Sequence, residues 1–164
     1  MTRPRVEGTI IIEDARVFFK NFEGRETQYN RKGNINFCVE LDPDKIDIQE
    51  LIDDGWNVKF TKPREEGDEP KSYLQVTVSF KGRPARVVMI GSSTKKRTEL
   101  DEETIGLLDS ADFKTVDVII NPYNWEVRGE TGVSAYAKTM YVTIEEDYLE
   151  RKYAEEEPPW EEQQ

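Results

Sequence analysis

Hydrophobic and polar residues alternate along most of this chain with the two-residue period that is typical of β-strands. The longest stretch of this kind, 114–147, predicts two long strands joined by a turn at 128–132, where two glycines permit positive φ angles. On the return strand the alternation groups Tyr136 with Met140 on one face and the alanines on the other. The pattern therefore predicts a long terminal hairpin, of the kind that can close a small β-barrel.

Shorter alternating runs precede the hairpin and predict the remaining strands. They occupy 8–22 (a strand pair or one bent strand), 34–41, 56–62, 72–80 and 86–91. One helix is predicted over 42–55, because Pro43 suits the first turn of a helix and Gly55 suits its end. A second, acidic helix is predicted over about 101–110. The chain is thus strand-rich, with two short helices.

These elements predict a mainly β fold, a strand-rich α+β arrangement built as a Greek-key barrel of OB type with one or two short helices. The barrel is predicted over 1–147 and a flexible acidic C-terminal tail over 148–164. The tail is expected to be disordered, because its adjacent glutamates repel one another and Pro158 and Pro159 prevent a helix. A chain of 164 residues has room for one sizeable core, so one domain is the simplest arrangement.

Composition removes several classes of function. The chain has no histidine, which excludes the catalytic triad, histidine general bases and zinc–histidine sites. Its one cysteine, Cys38, lies in an apolar run and is expected to be inert, and a lone cysteine fits a reducing cytoplasm. The sequence has no recognisable phosphate-binding glycine loop, metal-ligand spacing, membrane span or signal peptide. It therefore predicts no enzyme activity, no cofactor, no metal and no membrane partner.

The net charge of −11 is unevenly distributed, and the distribution decides whether a nucleic-acid partner is plausible. Residues 144–164 contain nine acids and two bases, whereas the first 143 residues contain 25 acids and 21 bases. Much of that remaining acid falls in the predicted helices and in one loop at 63–71. Basic residues on the strands and in the other loops are therefore free to form a local positive patch.

Aromatic and basic residues are interleaved on several predicted strands and loops, a combination that suits base stacking together with phosphate contacts. On the strand at 16–22 the alternation places Phe18, Lys20 and Phe22 on one outer face, although a phenylalanine there could equally pack under a loop. The residues predicted to contact nucleic acid are Phe18, Lys20, Phe22, Tyr29, Arg31, Lys59, Tyr73, Tyr123, Trp125 and Lys138. They predict binding of single-stranded DNA without sequence specificity. Which strand face binds the DNA depends on the strand register, because a register error of one residue would turn these side chains to the opposite face.

Two stretches, NPYNWEVRGETGVSAYAKTMYVTIEED at 121–147 and AEEEPPWEEQQ at 154–164, resemble a known family. That family is the OB-fold single-stranded-DNA-binding proteins of bacteriophages, such as those of T7-like phages. The resemblance covers nearly the whole chain at the level of its plan. It implies a protein that coats single-stranded DNA during replication, recombination or repair, in the cytoplasm of a bacterial host. Whether such a chain is a monomer or a dimer stays open.

The resemblance also implies a role for the tail. Acidic tails with a late aromatic residue in this family imply a segment that competes with DNA and recruits replication proteins. The matching residues here are Glu155, Glu156, Glu157 and Trp160. Bacterial counterparts end in acids, a proline and a terminal phenylalanine, whereas Trp160 is followed by EEQQ. A partner pocket that binds an aromatic together with the chain-end carboxylate would therefore not be satisfied by this tail.

Two other classes of function stay open at this point. The many acids could form a divalent-metal site, but such a site needs acids that converge from different elements. Here the acids cluster on helices, on a loop and in the tail. The net charge also fits an acidic protein-interaction module, such as a DNA mimic that occupies a partner's DNA site. The interleaved aromatic and basic residues favour DNA binding over both.

Overall fold

The computed structural model describes residues 5–62 and 65–146. The strands are β1 (Ile10–Ile12), β2 (Val17–Asn21), β3 (Ile35–Glu40), β4 (Lys59–Phe60), β5 (Ser72–Val78), β6 (Arg86–Gly91), β7 (Arg97–Leu100), β8 (Phe113–Val127) and β9 (Glu130–Ile144). The helices are α1 (Ile48–Asp54) and a 3₁₀ helix at Ile105–Asp109. Neither of these two helices has the length and apolar character that crossing a bilayer requires. The tail predicted over 148–164 lies outside the described residues.

The nine strands form one sheet whose central order is β1-β8-β9-β5-β3-β2. β4 adds to β5, and β6 pairs with both β7 and β9. Neighbours are antiparallel except that β9 runs parallel to β5 and to β6. β1 and β2 stand at opposite ends of this order, yet only residues 13–16 separate them along the chain. The sheet therefore curls round until one bent segment of chain spans its two ends.

The curled sheet is partly open, as in the OB fold. Among the described residues no strand pair closes the gap between β1 and β2. Two backbone hydrogen bonds bridge it instead, from the Ala15 amide to the Val116 carbonyl (2.7 Å) and from the Glu40 amide to the Arg16 carbonyl (2.9 Å). The predicted mainly β fold of OB type, with short helices, is confirmed. The stretch 8–22, predicted as a strand pair or one bent strand, forms β1 and β2, which do not pair with each other.

Alternate residues of each strand point into one shared core. On β5, buried and half-buried residues alternate strictly from Ser72 to Val78, as the sequence pattern predicts. The largest fully buried side chains are Phe22, Phe37, Leu41, Leu74, Ile105, Leu108, Ile120 and Met140. Burying one side chain of this size stabilises the fold by about 1.5–3 kcal/mol relative to leaving it exposed. The core therefore fixes which strand face remains available to a ligand.

Helix α1 is shorter than predicted. It begins after Asp47, whose carboxylate accepts a hydrogen bond from the Glu50 amide (3.1 Å), and it ends at Gly55 in the left-handed conformation (φ 101°). The expectation that Pro43 lies in the first turn of the helix is wrong. Residues near it form separate turns, because the Asp42 carboxylate accepts from the Asp44 amide (2.9 Å) and competes with helix formation.

The acidic helix predicted over 101–110 is a single 3₁₀ turn, and a strand that the sequence analysis did not foresee precedes it. This strand, β7, begins at Arg97 and pairs with β6. Asp101 then stops the strand, because its carboxylate accepts from both the amide and the hydroxyl of Thr104 (3.0 and 2.9 Å). These hydrogen bonds hold the pKa of Asp101 below its usual range. The Asp–Thr turn thus starts the 3₁₀ helix four residues later than predicted.

A β-bulge in β2 changes which of its side chains face solvent. Phe18 pairs with Cys38, but the next pair is Asn21 with Asn36, so β2 has one extra residue between them. Phe19, within the bulge, takes a left-handed conformation (φ 50°). The predicted shared face of Phe18, Lys20 and Phe22 is therefore split at this point.

A second irregularity lies in the terminal hairpin. Ile119 pairs with Thr139 and Ile120 with Ala137, which leaves Lys138 as an extra residue on β9. The inward-facing set consequently switches from Ala137 to Met140 across the bulge. The predicted grouping of Tyr136 with Met140 is therefore wrong: Tyr136 is half-buried on the outside, whereas Met140 is fully buried.

Candidate nucleic-acid interface

Strand pairing brings outward-facing residues from distant parts of the chain onto one surface. The rows across neighbouring strands are Phe18–Cys38–Gln75, Glu40–Tyr73–Lys59 and Asn36–Thr77–Tyr136. We term this surface, the outward side of β2, β3, β4 and β5 with the hairpin end of β8 and β9, the outer face. Five of the ten residues predicted to contact nucleic acid lie on it: Phe18, Lys59, Tyr73, Tyr123 and Trp125.

One aromatic cluster joins β2 to β5 across β3. The ring of Phe18 makes edge-to-face contacts with those of Phe19 and Tyr73, at centroid distances of 4.9 and 5.1 Å. Such contacts hold aromatic rings in defined orientations without covering both of their faces. Phe18 and Tyr73 are half-buried, whereas Phe19 is 71% exposed. The cluster therefore offers aromatic surface to solvent on a rigid strand.

A second aromatic cluster lies on the β8–β9 hairpin. Tyr123 is 56% exposed and packs against Tyr136 with ring centroids 5.4 Å apart. Trp125, two residues further along the same face, pairs with Gly132. Its indole lies directly against the glycine backbone, because a Cβ at position 132 would overlap the ring. Gly132 thus fixes the plane of a half-buried tryptophan at the end of the outer face.

A chain of polar side chains crosses the outer face between the aromatic clusters. The Lys59 ammonium donates to Gln75 Oε1 (3.2 Å), and Gln75 Nε2 donates to Asn36 Oδ1 (3.2 Å). Asn36 Nδ2 in turn donates to Asn30 Oδ1 (2.8 Å). Asn36 is buried, so these bonds are shielded from competing water. The chain links the outer face to the loop between β2 and β3.

That loop, 22–34, is held at its base and exposed at its tip. Asn30 Nδ2 donates to the carbonyls of Arg25 (2.9 Å) and Asn34 (3.0 Å), which ties the two sides of the loop together. The neighbours of Asn30, Tyr29 and Arg31, project into solvent, and Tyr29 is 89% exposed. The structure therefore presents these two predicted contact residues on a braced loop at the edge of the outer face.

Two predicted contact residues are placed elsewhere by the bulge in β2. Phe22 is only 1% exposed and stacks on Phe37 at a centroid distance of 5.5 Å, so as the protein is folded it cannot stack on a base. Lys20 donates to the carbonyls of Leu108 (3.1 Å) and Ala111 (2.9 Å) at the end of the 3₁₀ helix. The extra residue in β2 reverses the alternation, which turns Phe22 inward and Lys20 toward that helix. Both assignments to the nucleic-acid site are corrected accordingly.

The remaining predicted contact residues are Lys138 and those of the tail. Lys138 is exposed at the β9 bulge, beside Tyr136 and at the margin of the outer face. Within residues 5–62 and 65–146, neither Arg31 nor Lys138 forms an ion pair with a carboxylate. Both cations are therefore available to a phosphate. The tail residues Glu155, Glu156, Glu157 and Trp160 lie outside the described residues.

Four residues of this region were missed by the sequence analysis: Phe19, Phe60, Asn36 and Gln75. Phe19 alternates with the outward positions 18 and 20, so a regular strand would turn it inward, and no sequence signal marks the bulge that turns it out. Phe60 alternates with Trp56 and Val58 on the apolar side of the run 56–62, but β4 pairs over only two residues and leaves it 53% exposed. Asn36 and Gln75 lie at outward positions of β3 and β5, where period two alone could have placed them.

The thiol of Cys38 is buried beneath the outer face. Burial raises the pKa of Cys38 to about 11, against a smaller opposing effect of the nearby Lys59 ammonium. The thiol therefore stays protonated and unreactive at neutral pH, as the sequence predicted. In the part of the chain that the structure describes, no three Asp, Glu, Cys or His residues converge closely enough to hold a metal ion.

Comparison with known proteins matches this chain to one family. The sequence model of a family described as "Putative phage ssDNA-binding domain" matches residues 2–163, nearly the whole chain. A search of curated proteins found no significant match.

Three solved structures are similar to this chain. Two are of the single-stranded DNA-binding protein from bacteriophage Enc34, in complex with ssDNA (TM-score 0.52) and in a second structure (0.50), each at 12% identity over 85% of this chain. The matches cover 88% and 83% of those chains. The third is gp2.5, a single-stranded DNA binding protein of bacteriophage T7, at 11% identity and a TM-score of 0.40 over 94% of this chain and 97% of that one. At these identities the Enc34 structures support the fold assigned above.

Proposed function

This chain belongs to the phage single-stranded-DNA-binding domain family, and we propose that it covers the DNA strand without sequence preference by binding it across the outer face. Single-stranded DNA is its partner, in DNA replication. The observation that supports this placement best is the pair of exposed aromatic clusters on one sheet face, joined by polar side chains. Oligonucleotide-binding OB folds use the corresponding sheet face and the two flanking loops.

Stacking accounts for binding without sequence preference, because every base has a flat π-face and aromatic rings accept all of them. In this proposal Tyr123 and Trp125 stack bases at the hairpin end, and Tyr73 does so at the other end of the face. Tyr29 reaches bases from the braced loop. The amide groups of Asn36 and Gln75 are bonded to each other and to Asn30, Asn34 and Lys59, which leaves them little capacity to select a base edge.

In this proposal the phosphates are contacted by cationic side chains around the aromatic clusters. Arg31 on the loop, Lys59 on β4 and Lys138 at the β9 bulge are the three that we assign to this role. Each phosphate neutralised on a single strand contributes about 0.7 to the slope of log K against log salt. The overall acidity of the chain does not oppose this, since a local cluster of cations attracts phosphate within a Debye length of about 8 Å at physiological salt.

We propose no catalytic step for this chain. The family is one of binding proteins. The acidic DNA-mimic alternative is set aside for the same reason, since a mimic replaces DNA at a partner's site and does not bind it.

We further propose that the binding domain spans 1–147, and that the protein acts in the cytoplasm of the infected bacterium. Cytoplasmic action follows from the replication role of the family, since phage DNA is copied inside the host cell.

Titration of a labelled oligo-dT and of a duplex of equal length tests the proposed function. We expect tighter binding of the single strand, because exposed bases add stacking that a duplex cannot offer, and a log K that falls linearly with log salt for both. An oligo-dA or mixed-sequence strand should bind within about tenfold of oligo-dT, since each base presents a π-face. Equal affinity for duplex and single strand would contradict stacking on the outer face.

The acidic tail gives a separate prediction. Its negative charge is complementary to the cations that bind phosphate, and its covalent attachment to the same chain gives it an effective concentration of order millimolar. We therefore propose that Glu155–Glu157 compete with DNA and that Trp160 occupies a base position or recruits a replication protein. Deleting 148–164 should tighten binding of oligo-dT, most clearly at low salt, and should reduce discrimination against duplex.

The control for the deletion is a full-length chain in which Glu155, Glu156 and Glu157 are replaced by glutamine. If competition is electrostatic, this variant should reproduce most of the gain in affinity seen on deletion. Unchanged affinity at low salt in both variants would rule out competition and leave partner recruitment or solubility as the role of the tail.

A further inference from the structure

Phe19 has a backbone conformation that phenylalanine seldom adopts. Four non-glycine residues of the described chain have positive φ, and Phe19 is the only one inside a strand. For a bulky residue this conformation is strained, because Cβ approaches its own backbone carbonyl. This conformation points the large aromatic ring of Phe19 into solvent, and the residue is 71% exposed. Strained conformations that persist in a fold are concentrated at functional sites.

The exposed ring of Phe19 lies in a groove of about 1150 Å³ that continues from the outer face. Phe18 and Tyr73, which belong to the outer face, line it together with Phe60 of β4. The rings of Phe19 and Tyr73 are 6.5 Å apart and nearly perpendicular (75°). Two of the most exposed aromatic side chains of the described region, Phe19 and Phe60, therefore line the same depression.

The charges around the groove are balanced. Arg16, Lys62 and Lys71 line it together with Glu40, Asp68 and Glu69. Glu40 lies 3.9 Å from both Arg16 and Lys71, so these two cations are already partly neutralised. The groove is therefore poorly suited to a phosphate. Its aromatic walls suit an uncharged, flat group.

We propose that this groove is a base-binding subsite, and that the bulge in β2 exists to present Phe19 to a base of single-stranded DNA. The proposal rests on the function proposed above and adds a stacking position at the β2–β4 end of the outer face. A DNA strand that stacks one base on Tyr73 needs only to continue past β2 for its next base to contact Phe19. Phosphates of that nucleotide remain in solvent at the rim.

Two substitutions of Phe19 separate binding from strain. Phe19→Ala and Phe19→Gly both remove the ring, and each should weaken binding of oligo-dT about tenfold. Because the lost contact is stacking, the slope of log K against log salt should stay at the wild-type value. Glycine adopts positive φ freely, so Phe19→Gly should unfold at a higher denaturant concentration than Phe19→Ala. Ile11→Ala, on β1 and 62% exposed, is the matched control and should bind as the wild type does.

The outcomes distinguish this subsite from the function on which it rests. Wild-type-like binding by both Phe19 variants, while substitutions of Tyr123 and Trp125 weaken binding, would overturn the subsite and leave the proposed function intact. A change of oligomeric state in Phe19→Ala without loss of oligo-dT affinity would show that the groove binds a second copy of the chain, and would also overturn it. Failure of the wild type to bind oligo-dT would overturn the proposed function itself.

Discussion

Replacing Tyr123 and Trp125 together by alanine is expected to weaken binding of oligo-dT by roughly 30-fold or more. Stacking of one base is worth about 1–3 kcal/mol, and a loss of about 2 kcal/mol for the pair corresponds to that factor. Tyr123 is exposed on β8, and Trp125 is held flat against Gly132, so neither ring has to reorganise before it stacks. Fluorescence anisotropy with a labelled strand measures the change.

The matched control retains the rings. Tyr123→Phe with Trp125→Phe keeps an aromatic surface at both positions and should retain most of the affinity. The salt slope should be unchanged in the alanine variant, because no phosphate contact is lost. In contrast, Lys138→Ala should lower the slope by about 0.7 and leave the stacking contribution in place. A wild-type affinity for the double alanine variant would show that the hairpin end of the outer face does not bind DNA.

Phe22→Ala is expected to lower the free energy of unfolding by about 3–5 kcal/mol, a typical range for truncating a buried phenylalanine. Phe22 stacks on Phe37 and also meets Phe113 edge-on at a centroid distance of 6.2 Å. Since whole domains are stable by only about 5–15 kcal/mol, urea denaturation should show a large shift of the midpoint.

The same variant separates a core role from a binding role. At a temperature where Phe22→Ala remains folded, its affinity for oligo-dT should equal that of the wild type, because the ring is not accessible to a base. Phe19→Ala, only three residues away, should show the opposite pattern of weak binding and nearly unchanged stability. A folded Phe22→Ala protein with wild-type stability and impaired binding would contradict the assignment of Phe22 to the core.

The sequence was informative wherever a strand is regular. Period two placed Tyr73 on the outside of β5, because that strand alternates without interruption. It also located the terminal hairpin, although the turn comprises only Arg128 and Gly129, both at positive φ, and Gly132 lies within β9. Tyr123 and Trp125 were assigned to the site on the same grounds.

The sequence pattern gave wrong side-chain orientations where the pairing of neighbouring strands is irregular. A β-bulge adds one residue to one strand, and every side chain beyond it then changes face. The bulge in β2 therefore inverted the assignments of Phe19, Lys20 and Phe22 together. It has no local signature, since phenylalanine is among the least expected residues at positive φ. The polar chain from Lys59 to Asn30 could not be foreseen either, because it joins residues that are distant in sequence.

The central claim is that single-stranded DNA lies across the outer face, and photocrosslinking tests it most directly. A thymidine strand carrying 5-iodouracil would be irradiated in complex with the full chain, and the modified residues identified by mass spectrometry. We expect adducts at Tyr73, Tyr123 and Trp125. Tyr141, which lies further along β9 and is engaged by Arg86 (2.9 Å), should remain unmodified. Adducts confined to Tyr141 or to the 3₁₀ helix, with none at the first three residues, would contradict the claim.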